Sequence, residues 1–326
     1  MRPAGAKSAW FWGFAALALV AGLVSTRLTN NEYYFFAAYV VLQSLIMAMA
    51  WNILGGFTGY VNFGSAGFFA VAAYTTIALQ KYFKGVGFDA PLVVYIAAGA
   101  LVCSLIGLGT GYLTLRLRGV YFAIATLALA IVIQTFINNW DYVGAAKGTY
   151  ILTPEPPPLF SSYVKYLFVL MLLLSLMAMA ISRHIANSKF GRGLAAIRDD
   201  ELAAECMGVP TLRLKLISTT LMGALMGVAG ALYPFFVTFV DPVSAFSLGI
   251  AVNAIAMPMI GGTGYWYGPV IGALLLGTAQ EVISVTISSE MNVLIVGLLL
   301  VSFVVLAPKG IAGLVHSIRA KARGHA

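Results

Sequence analysis

The chain has 326 residues, of which 61% are hydrophobic and only 9% are charged. A soluble domain of ordinary composition is about 25% charged, so the composition excludes such a domain and indicates a protein embedded in a membrane. The net charge is +8, but the charges are unevenly placed. Ten of the thirty charged residues lie between positions 183 and 215, and four more lie in the tail 309–326.

Long uncharged runs set the number of membrane segments, because a helix that crosses about 30 Å of hydrocarbon needs roughly 20 apolar residues. The two longest runs each contain a Gly-rich break that would divide them. We therefore predict an all-α, polytopic transmembrane helical bundle of about ten segments (range about 8–10), with broken or re-entrant helices, in one domain. The runs lack the alternating polarity of barrel strands. They cover residues 8–26, 33–80, 90–115, 119–140, 166–182, 216–240, 242–280 and 291–308.

The first run follows Arg2 and Lys7, an arrangement that secretory signal peptides share. Its apolar stretch, residues 9–23, is long for a signal core, and no clear A-x-A cleavage site follows it. We expect a first membrane segment that is retained. The two cysteines, Cys103 and Cys206, imply no disulfide framework.

Two Gly-rich breaks interrupt the apolar runs, at residues 52–67 and 259–269. Irregular backbone at membrane depth is tolerated only where protein or a water-filled cavity covers it, and paired interruptions in two halves point to a transport pathway. We interpret the second break as a tight turn with close helix contacts. The first also carries uncharged hydrogen-bonding side chains, and we predict that it lines a pathway. These side chains are Asn52, Thr58, Asn62 and Ser65.

Polar side chains are few within the other segments. Thr126 and Gln134 on segment five are eight residues apart, which places them about 80° from each other on one helix face together with two alanines. This stripe is a second candidate pathway lining, with a helix-packing seam as the alternative. Gln280 and Glu281 lie on segment nine, and an ionisable group within a span is a candidate functional site unless it lies near the interface.

Residues 140–165 form the longest predicted external loop. Four prolines between positions 154 and 158 favour extended backbone there. The loop is a candidate surface for an external partner, and an ordinary solvated connector is the alternative.

The charged segment 183–215 contains a predicted helix over residues 193–207, stopped by Gly208 and Pro210. On a helical wheel its few apolar side chains share a face with Asp200 and Glu201, so the helix has no apolar stripe for a bilayer. We predict that it projects into the cytoplasm and docks on another protein, with a solvated hairpin as the alternative.

Basic residues in short loops next to the spans indicate the orientation. With both termini in the cytoplasm, fourteen of the nineteen basic residues lie inside, the basic tail 309–326 among them, and five lie outside. The inside set is Arg2, Lys7, Arg116, Arg118, Arg183, Lys189, Arg192, Arg198, Arg213, Lys215, Lys309, Arg319, Lys321 and Arg323, and the outside set is Arg27, Lys81, Lys84, Lys147 and Lys165. Topology and lipid headgroups account for these charges better than nucleic acid does.

The sequence lacks the motifs of a phosphate-binding loop, a zinc protease or a serine hydrolase. It also lacks a relay of Asp, Glu or His along the membrane segments. We therefore expect no enzymatic activity, no bound metal and no cofactor on this chain.

The charged segment reads Gly-Arg at 191–192, Ala-Ala-Ile-Arg-Asp-Asp-Glu at 195–201, Ala-Ala-Glu at 203–205 and Gly-Val at 208–209. This pattern resembles the coupling loop of permease subunits of branched-chain amino-acid ABC importers, in particular the LivM type. Blocks at 52–74, 116–123 and 260–273 fall where that family has similar blocks. After Trp140 such permeases usually carry a Thr-Gly-Gly run, whereas residues 143–149 here read Val-Gly-Ala-Ala-Lys-Gly-Thr.

The resemblance implies a bacterial or archaeal inner-membrane complex. Its other members would be a second, similar permease, two cytoplasmic ATPases that bind ATP and Mg, and a periplasmic or extracellular substrate-binding protein. Closure of the ATPases would push on helix 193–207 and switch the pathway between two states. The residues assigned to this coupling are Arg192, Arg198, Asp199, Asp200, Glu201, Glu205 and Gly208.

The implied substrates are branched-chain or other hydrophobic amino acids, and urea, short amides and aromatic acids stay as alternatives. An ATP-independent secondary transporter or channel is the rival from another class, supported by the paired breaks and weakened by the missing charge relay. A structural membrane scaffold leaves the charged helix unexplained.

Overall fold

The computed structural model describes residues 4–29, 31–154, 156–158, 160–286, 294–295, 297–302 and 310–323. The fold is almost entirely helical, as the sequence predicts. The helices are α1 (Ala4–Leu28), α2 (Tyr33–Thr58), α3 (Ser65–Val86), α4 (Leu92–Thr114), α5 (Val120–Asn138), α6 (Tyr163–Asn187), α7 (Lys189–Asp199), α8 (Glu201–Cys206), α9 (Thr211–Ala231), α10 (Tyr233–Val237), α11 (Pro242–Ala245), α12 (Leu248–Gly261), α13 (Gly268–Thr286) and α14 (Gly310–Arg323).

Eight helical stretches of the described chain are long and apolar enough to cross a membrane. They correspond to eight of the ten predicted segments, which confirms the polytopic bundle. Most of the last predicted segment, 291–308, lies outside the described residues. The eight stretches are Phe11–Leu28, Tyr33–Thr58, Leu92–Thr114, Val120–Asn138, Tyr163–Asn187, Thr211–Val237, Pro242–Gly261 and Gly268–Thr286.

Helix α3 is the remaining predicted segment, and it is not among those eight stretches. It packs against α4, α5, α9 and α12 and is buried along most of its first sixteen residues. Because its surface meets protein on several sides, α3 tolerates polar side chains that lipid would not.

Helix α2 lies at the centre of the bundle, in contact with α6, α9, α12 and α13. It stays helical to Thr58, and Gly59 ends it with a left-handed φ of 79°. The first break is therefore shorter than the predicted 52–67: only residues 59–64 are non-helical. Burial among four helices keeps the preceding glycines helical.

Helices α4 and α9 pack through small residues repeated every fourth position. A Cβ added at Gly107 would lie 2.9 Å from the Thr219 carbonyl oxygen, and one at Gly227 would lie 2.5 Å from the Gly99 carbonyl oxygen. This close backbone approach is the small-xxx-small packing of membrane helices. The α4 series is Gly99, Cys103, Gly107 and Gly111, and the antiparallel α9 series is Thr219, Gly223, Gly227 and Ala231.

The predicted single helix 193–207 is two helices, α7 and α8, separated at Asp200. The backbone of Asp200 is extended, with φ of −159°, and its carboxylate accepts a hydrogen bond from the Ala203 N–H at 3.0 Å. Such capping by Asp begins a new helix. The few apolar side chains of this segment meet protein: Leu194 and Ile197 of α7 are buried, and α7 packs on α2, α6 and α9.

The second break is a tight turn, as predicted. Residues 262–267 connect α12 to α13, and glycines allow the two helices to touch. A Cβ at Gly272 would lie 1.7 Å from the Met257 carbonyl oxygen, and one at Gly261 would lie 1.8 Å from that of Gly268.

The predicted external loop contains two 3-10 turns, Asp141–Val143 and Ala145–Lys147, followed by strand β1 (Thr149–Tyr150). Strand β1 pairs antiparallel with β2 (Phe239–Val240), with Thr149 opposite Val240. This pairing joins the loop to the connection between α10 and α11.

Candidate functional site

The two Gly-rich breaks meet beside α7. Arg198, near the end of α7, lies against both: added Cβ atoms at Gly59 and Gly264 would each be 3.4 Å from its side chain. A Cβ at Gly56, near the end of α2, would be 2.6 Å from the carbonyl oxygen of Thr263. Arg198 therefore lies next to both breaks.

Helix α8 is tied to the first break through Glu201. The Tyr60 hydroxyl donates to Glu201 Oε2 at 2.5 Å, and Lys215 Nζ at the start of α9 donates to Glu201 Oε1 at 2.7 Å. Lys215 also donates to the Tyr60 hydroxyl at 3.1 Å and to the Leu115 carbonyl at 3.3 Å. We call Tyr60, Glu201 and Lys215 the polar triad.

The triad is a satisfied polar network in a largely buried setting. Lys215 is only 3% exposed, yet its three ammonium protons all have acceptors. Partial burial opposes ionisation of Glu201. The pKa of Glu201 is nevertheless lowered, because Lys215 and Tyr60 donate hydrogen bonds to the carboxylate and Lys215 and Arg118 are positively charged. Burial and the hydrogen bond to Glu201 raise the pKa of Tyr60, so its hydroxyl remains a donor.

A second, more exposed set of contacts surrounds the triad. Arg118, in the α4–α5 connection, lies 3.6 Å from Glu201 and 3.9 Å from Glu205. Glu205 also accepts a hydrogen bond from the Thr211 hydroxyl at 2.7 Å. These contacts hold α8 against the ends of α4 and α9.

Other predicted coupling residues face outward or shape the backbone. Arg192 and Asp199 are exposed, and Asp199 contacts Arg198 at 3.4 Å. Gly208 ends the α8 turn with φ of 83°. Leu202 and Met207, which the prediction did not include, are 60% and 85% exposed. The outer face of α7 and α8 is thus partly apolar, whereas Glu201 points inward.

A small uncharged cavity lies between α3, α4, α5 and α9 beside the first break, with room for about one water molecule. Threonines from three helices and the backbone at the start of α3 provide its polar surface. Its lining is Asn62, Gly64, Gly67, Phe68, Thr110, Thr114, Thr126, Leu129, Ala130, Ile133 and Thr219.

Two of the six predicted pathway residues, Asn62 and Thr126, line this cavity. The Thr126 hydroxyl accepts a hydrogen bond from the Phe63 N–H at 3.3 Å, and Asn62 Oδ1 accepts one from the Gly64 N–H at 2.8 Å. The face of α5 that carries Thr126 is also a packing seam, because a Cβ at Gly64 would lie 2.4 Å from the Thr126 carbonyl oxygen.

The other four predicted residues lie outside the cavity lining. The Thr58 hydroxyl donates to the Leu54 carbonyl at 2.6 Å, and Gln134 Nε2 donates to the Pro242 carbonyl at 3.4 Å. Asn52 and Ser65 are buried, and their side-chain polar atoms have no hydrogen-bond partner among the described residues. On α13, Gln280 Nε2 donates to Asn253 Oδ1 of α12 at 3.0 Å.

Sequence reasoning missed the triad as a unit. Lys215 and Arg118 counted only as orientation signals, and Tyr60 as part of a Gly-rich break. The available signal was a lysine followed by a long uncharged run, since a buried ammonium group requires an acceptor.

Comparisons with known proteins agree with the sequence resemblance. The profile of a family described as branched-chain amino acid transport system, permease component, matches residues 33–304. The Escherichia coli K12 permease protein LivM of the high-affinity branched-chain amino acid transport system is 28% identical over 301 residues, covering 84% of this chain and 68% of LivM. LivH of the same strain is 25% identical over 281 residues, covering 82% of this chain and 90% of LivH. A solved chain described as a metal-chelate type ABC transporter, inward-facing, aligns over 90% of this chain and 97% of its own, with a TM-score of 0.49 and 16% identity.

Proposed function

The chain belongs to the family of permease components of branched-chain amino acid transport systems, and from this premise we propose that it forms half of the pathway of an ATP-driven ABC importer. The substrates are branched-chain or other hydrophobic amino acids, the class named for LivM and LivH. The chain is the transport subunit, and ATP and Mg bind to separate ATPase subunits.

The observation that carries this proposal is the position of α7 and α8. They present an exposed outer face, while the Arg198 side chain lies beside Gly59 and Gly264 of the two Gly-rich breaks and Glu201 bonds to Tyr60 in the first break. A force applied to the outer face therefore reaches the pathway through two side chains. Coupling by an external ATPase requires such an element, with one side for the partner and one for the pathway.

The ATPase contact surface combines Arg192 and Asp199 with the exposed apolar side chains Leu202 and Met207. This assignment revises the role of Glu201, which acts inside the chain. Interfaces gain much of their affinity from apolar anchors with a polar rim, so Leu202 and Met207 would be the anchors.

The pathway is assigned to the side of the bundle where the first break and α5 face each other. The cavity has no charged lining, which suits a substrate with an apolar side chain. Since it holds about one water molecule, it must widen before a substrate passes.

The remaining partners follow from the family. A second permease would supply the other half of the pathway, and the match of this chain to both LivM and LivH supports pairing of two similar subunits. A periplasmic or extracellular binding protein would deliver the substrate to the side opposite α7 and α8. The complex would lie in a bacterial or archaeal inner membrane with both termini in the cytoplasm.

Reconstitution tests the proposal directly. The chain is co-expressed with its candidate sister permease and ATPases, placed in liposomes loaded with ATP and Mg, and supplied with the binding protein. Uptake of leucine, phenylalanine, urea, acetamide and benzoate is then compared. We expect ATP-dependent uptake of leucine or phenylalanine.

Other outcomes would redirect or reject the assignment. ATP-dependent uptake of urea, acetamide or benzoate alone would replace the substrate and keep the mechanism. Equal uptake without ATPases would show a secondary transporter or channel.

A matched pair of variants tests the docking face. Asp199→Lys should reduce ATPase binding. Asp89→Lys should not, because Asp89 is an exposed carboxylate between α3 and α4.

A further inference from the structure

The triad and the cavity are neighbouring features along three segments: the first break, the end of α4 and the start of α9. Asn62 of the cavity lies two residues after Tyr60, and Thr114 lies one residue before Leu115, whose carbonyl accepts from Lys215. Thr219 of the cavity donates to the carbonyl of Lys215 at 3.0 Å, one helical turn away. Tyr60 and Lys215 therefore lie close along the chain to residues that line the cavity, and Glu201 joins them to α8.

The aromatic ring of Tyr60 contacts both α5 and the cation of the triad. It meets the Phe122 ring edge to face at 5.1 Å, and Lys215 Nζ lies 4.6 Å from its centroid. Phe122 is itself fully buried on α5, one turn before Thr126. Tyr60 thus packs with a cavity-bearing helix on one side and an ion pair on the other.

We propose that Tyr60, Glu201 and Lys215 form a latch that closes the cavity on the side of α7 and α8, and that withdrawal of α8 opens it. This inference rests on the proposed transport function but concerns residues that the family assignment does not specify. The latch makes Glu201 a positioning residue, which acts on the pathway through Tyr60 and Lys215.

The charges favour two discrete arrangements of the latch, one with Glu201 paired with Lys215 and one with Glu201 moved outward. When Glu201 leaves, Lys215 loses its nearby carboxylate, and a buried unpaired ammonium group is strongly unfavourable. Water must then reach Lys215, which requires the packing around Tyr60 to open. Arg118 is 51% exposed and already lies 3.6 Å from Glu201, so it offers Glu201 a new partner as α8 moves outward. An element with two discrete arrangements is what an ATPase can bias.

The first experiment measures access to the cavity. Thr114 is replaced by cysteine in a Cys103→Ala/Cys206→Ser background, and the purified chain reacts with a membrane-impermeant maleimide. Glu201→Gln removes the charge, and Tyr60→Phe removes only one hydroxyl while keeping the ring. Loss of a hydrogen bond to a charged group should increase the rate of labelling about tenfold in either variant.

The control variants are Asp89→Asn and Tyr112→Phe. Asp89 is exposed, and the Tyr112 hydroxyl accepts only a partly exposed contact from Arg116 at 3.1 Å, outside the triad. Both controls should keep the labelling rate of the parent chain. Equal rates in the latch and control variants would overturn the latch, and Tyr60→Phe remains informative if Glu201→Gln does not fold.

The second experiment uses the reconstituted complex. Opening the latch without substrate should raise basal ATP hydrolysis about threefold to tenfold and lower the uptake per ATP hydrolysed. Normal coupling in Tyr60→Phe and Glu201→Gln would contradict the latch while leaving the importer assignment intact. If the parent complex shows no ATP-dependent uptake, the importer assignment fails, and the labelling experiment, which needs no ATPase, still decides the latch.

Discussion

Lys215 is a cation in a nearly closed site, and its side chain determines how α8, α9 and the first break fit together. We predict that Lys215→Met destabilises the chain by about 3 kcal/mol, because it leaves Glu201 without its closest cation. Thermal unfolding in detergent, followed by tryptophan fluorescence, measures the loss. Lys189→Met, at an exposed lysine at the start of α7, is the matched control and should be nearly neutral.

A double variant distinguishes the ion pair from simple packing. Adding Glu201→Gln to Lys215→Met removes the carboxylate charge that has lost its partner. The double variant should therefore be more stable than Lys215→Met alone. Additive losses from the two substitutions would indicate that the side chains act independently, contrary to the contact at 2.7 Å.

Acid should weaken the contact between Glu201 and Lys215. The pKa of Glu201 lies below its ordinary value of 4.5, so the ionised carboxylate stabilises the fold above that value and this contribution is lost as the pH falls through the folded pKa. Lys215, Arg118 and Tyr60 contact this carboxylate, and Glu205 shares Arg118 with it. We predict no change in this contribution between about pH 6 and 8 and a steep loss below about pH 4.5.

Unfolding temperatures of the parent chain and Glu201→Gln across this range provide the measurement. The difference between the two proteins should be constant near neutral pH and shrink in acid. A difference that already changes between about pH 6 and 8 would assign the titration to another group, since an ordinary carboxylate is fully ionised there.

Among whole elements, the packing of α4 on α9 gives the clearest prediction, because two neighbouring glycines of α4 differ in their surroundings. Gly107→Ala would place a methyl group 2.9 Å from the Thr219 carbonyl oxygen, whereas Gly109→Ala meets nothing within 4 Å. The first should cost about 1–3 kcal/mol through forced separation of the helices. The second should be neutral or slightly stabilising.

Unfolding temperatures of the two single variants test this contrast directly. Both substitutions add one methyl group to the same helix, so any effect of alanine on helix propensity cancels in the comparison. Similar losses at both positions would mean that α4 and α9 do not approach as closely as the structure has them.

Sequence patterns predicted the spans because lipid demands long apolar runs, and eight of the ten predicted segments coincide with helices of that kind. They also predicted the segment that forms α3, whose more polar sequence packs against protein on several sides. They failed at Asp200, where a capping carboxylate outweighed the helix propensity of the neighbouring alanines. The small residues at every fourth position of α4 and α9 were visible in the sequence, but which two helices they join depends on the tertiary fold.

The sequence likewise predicted only part of the candidate site. Asn62 was predictable as an uncharged polar group in a break and Thr126 as part of a polar stripe on segment five, and both line the cavity. The triad was not predictable, because Tyr60, Glu201 and Lys215 come from three distant parts of the chain and only their packing shows which side of α8 faces inward. Glu201 and Asp199 are similar in sequence context, but Glu201 bonds within the chain and Asp199 is exposed.

For the whole molecule, the orientation in the membrane determines which side the ATPases occupy. The asymmetry of basic residues predicts that α7 and α8 lie in the cytoplasm, and the native chain carries a probe at this position. Cys206, the last residue of α8, is exposed, whereas Cys103 is buried in α4. We predict that an impermeant maleimide labels Cys206 in inside-out membrane vesicles and fails to label it in right-side-out vesicles.

Cys206→Ser should abolish this labelling, which confirms that Cys103 does not react. Because Cys206 lies next to Met207 on the outer face of α8, binding of the ATPases should also slow its reaction in inside-out vesicles. Labelling from the opposite side would reverse the topology, and with it the side from which an ATPase could push on α8. If the predicted side is labelled but bound ATPases leave the rate unchanged, the topology stands and the docking surface lies away from Leu202 and Met207. The force on the latch would then have to enter through α7 and Arg198.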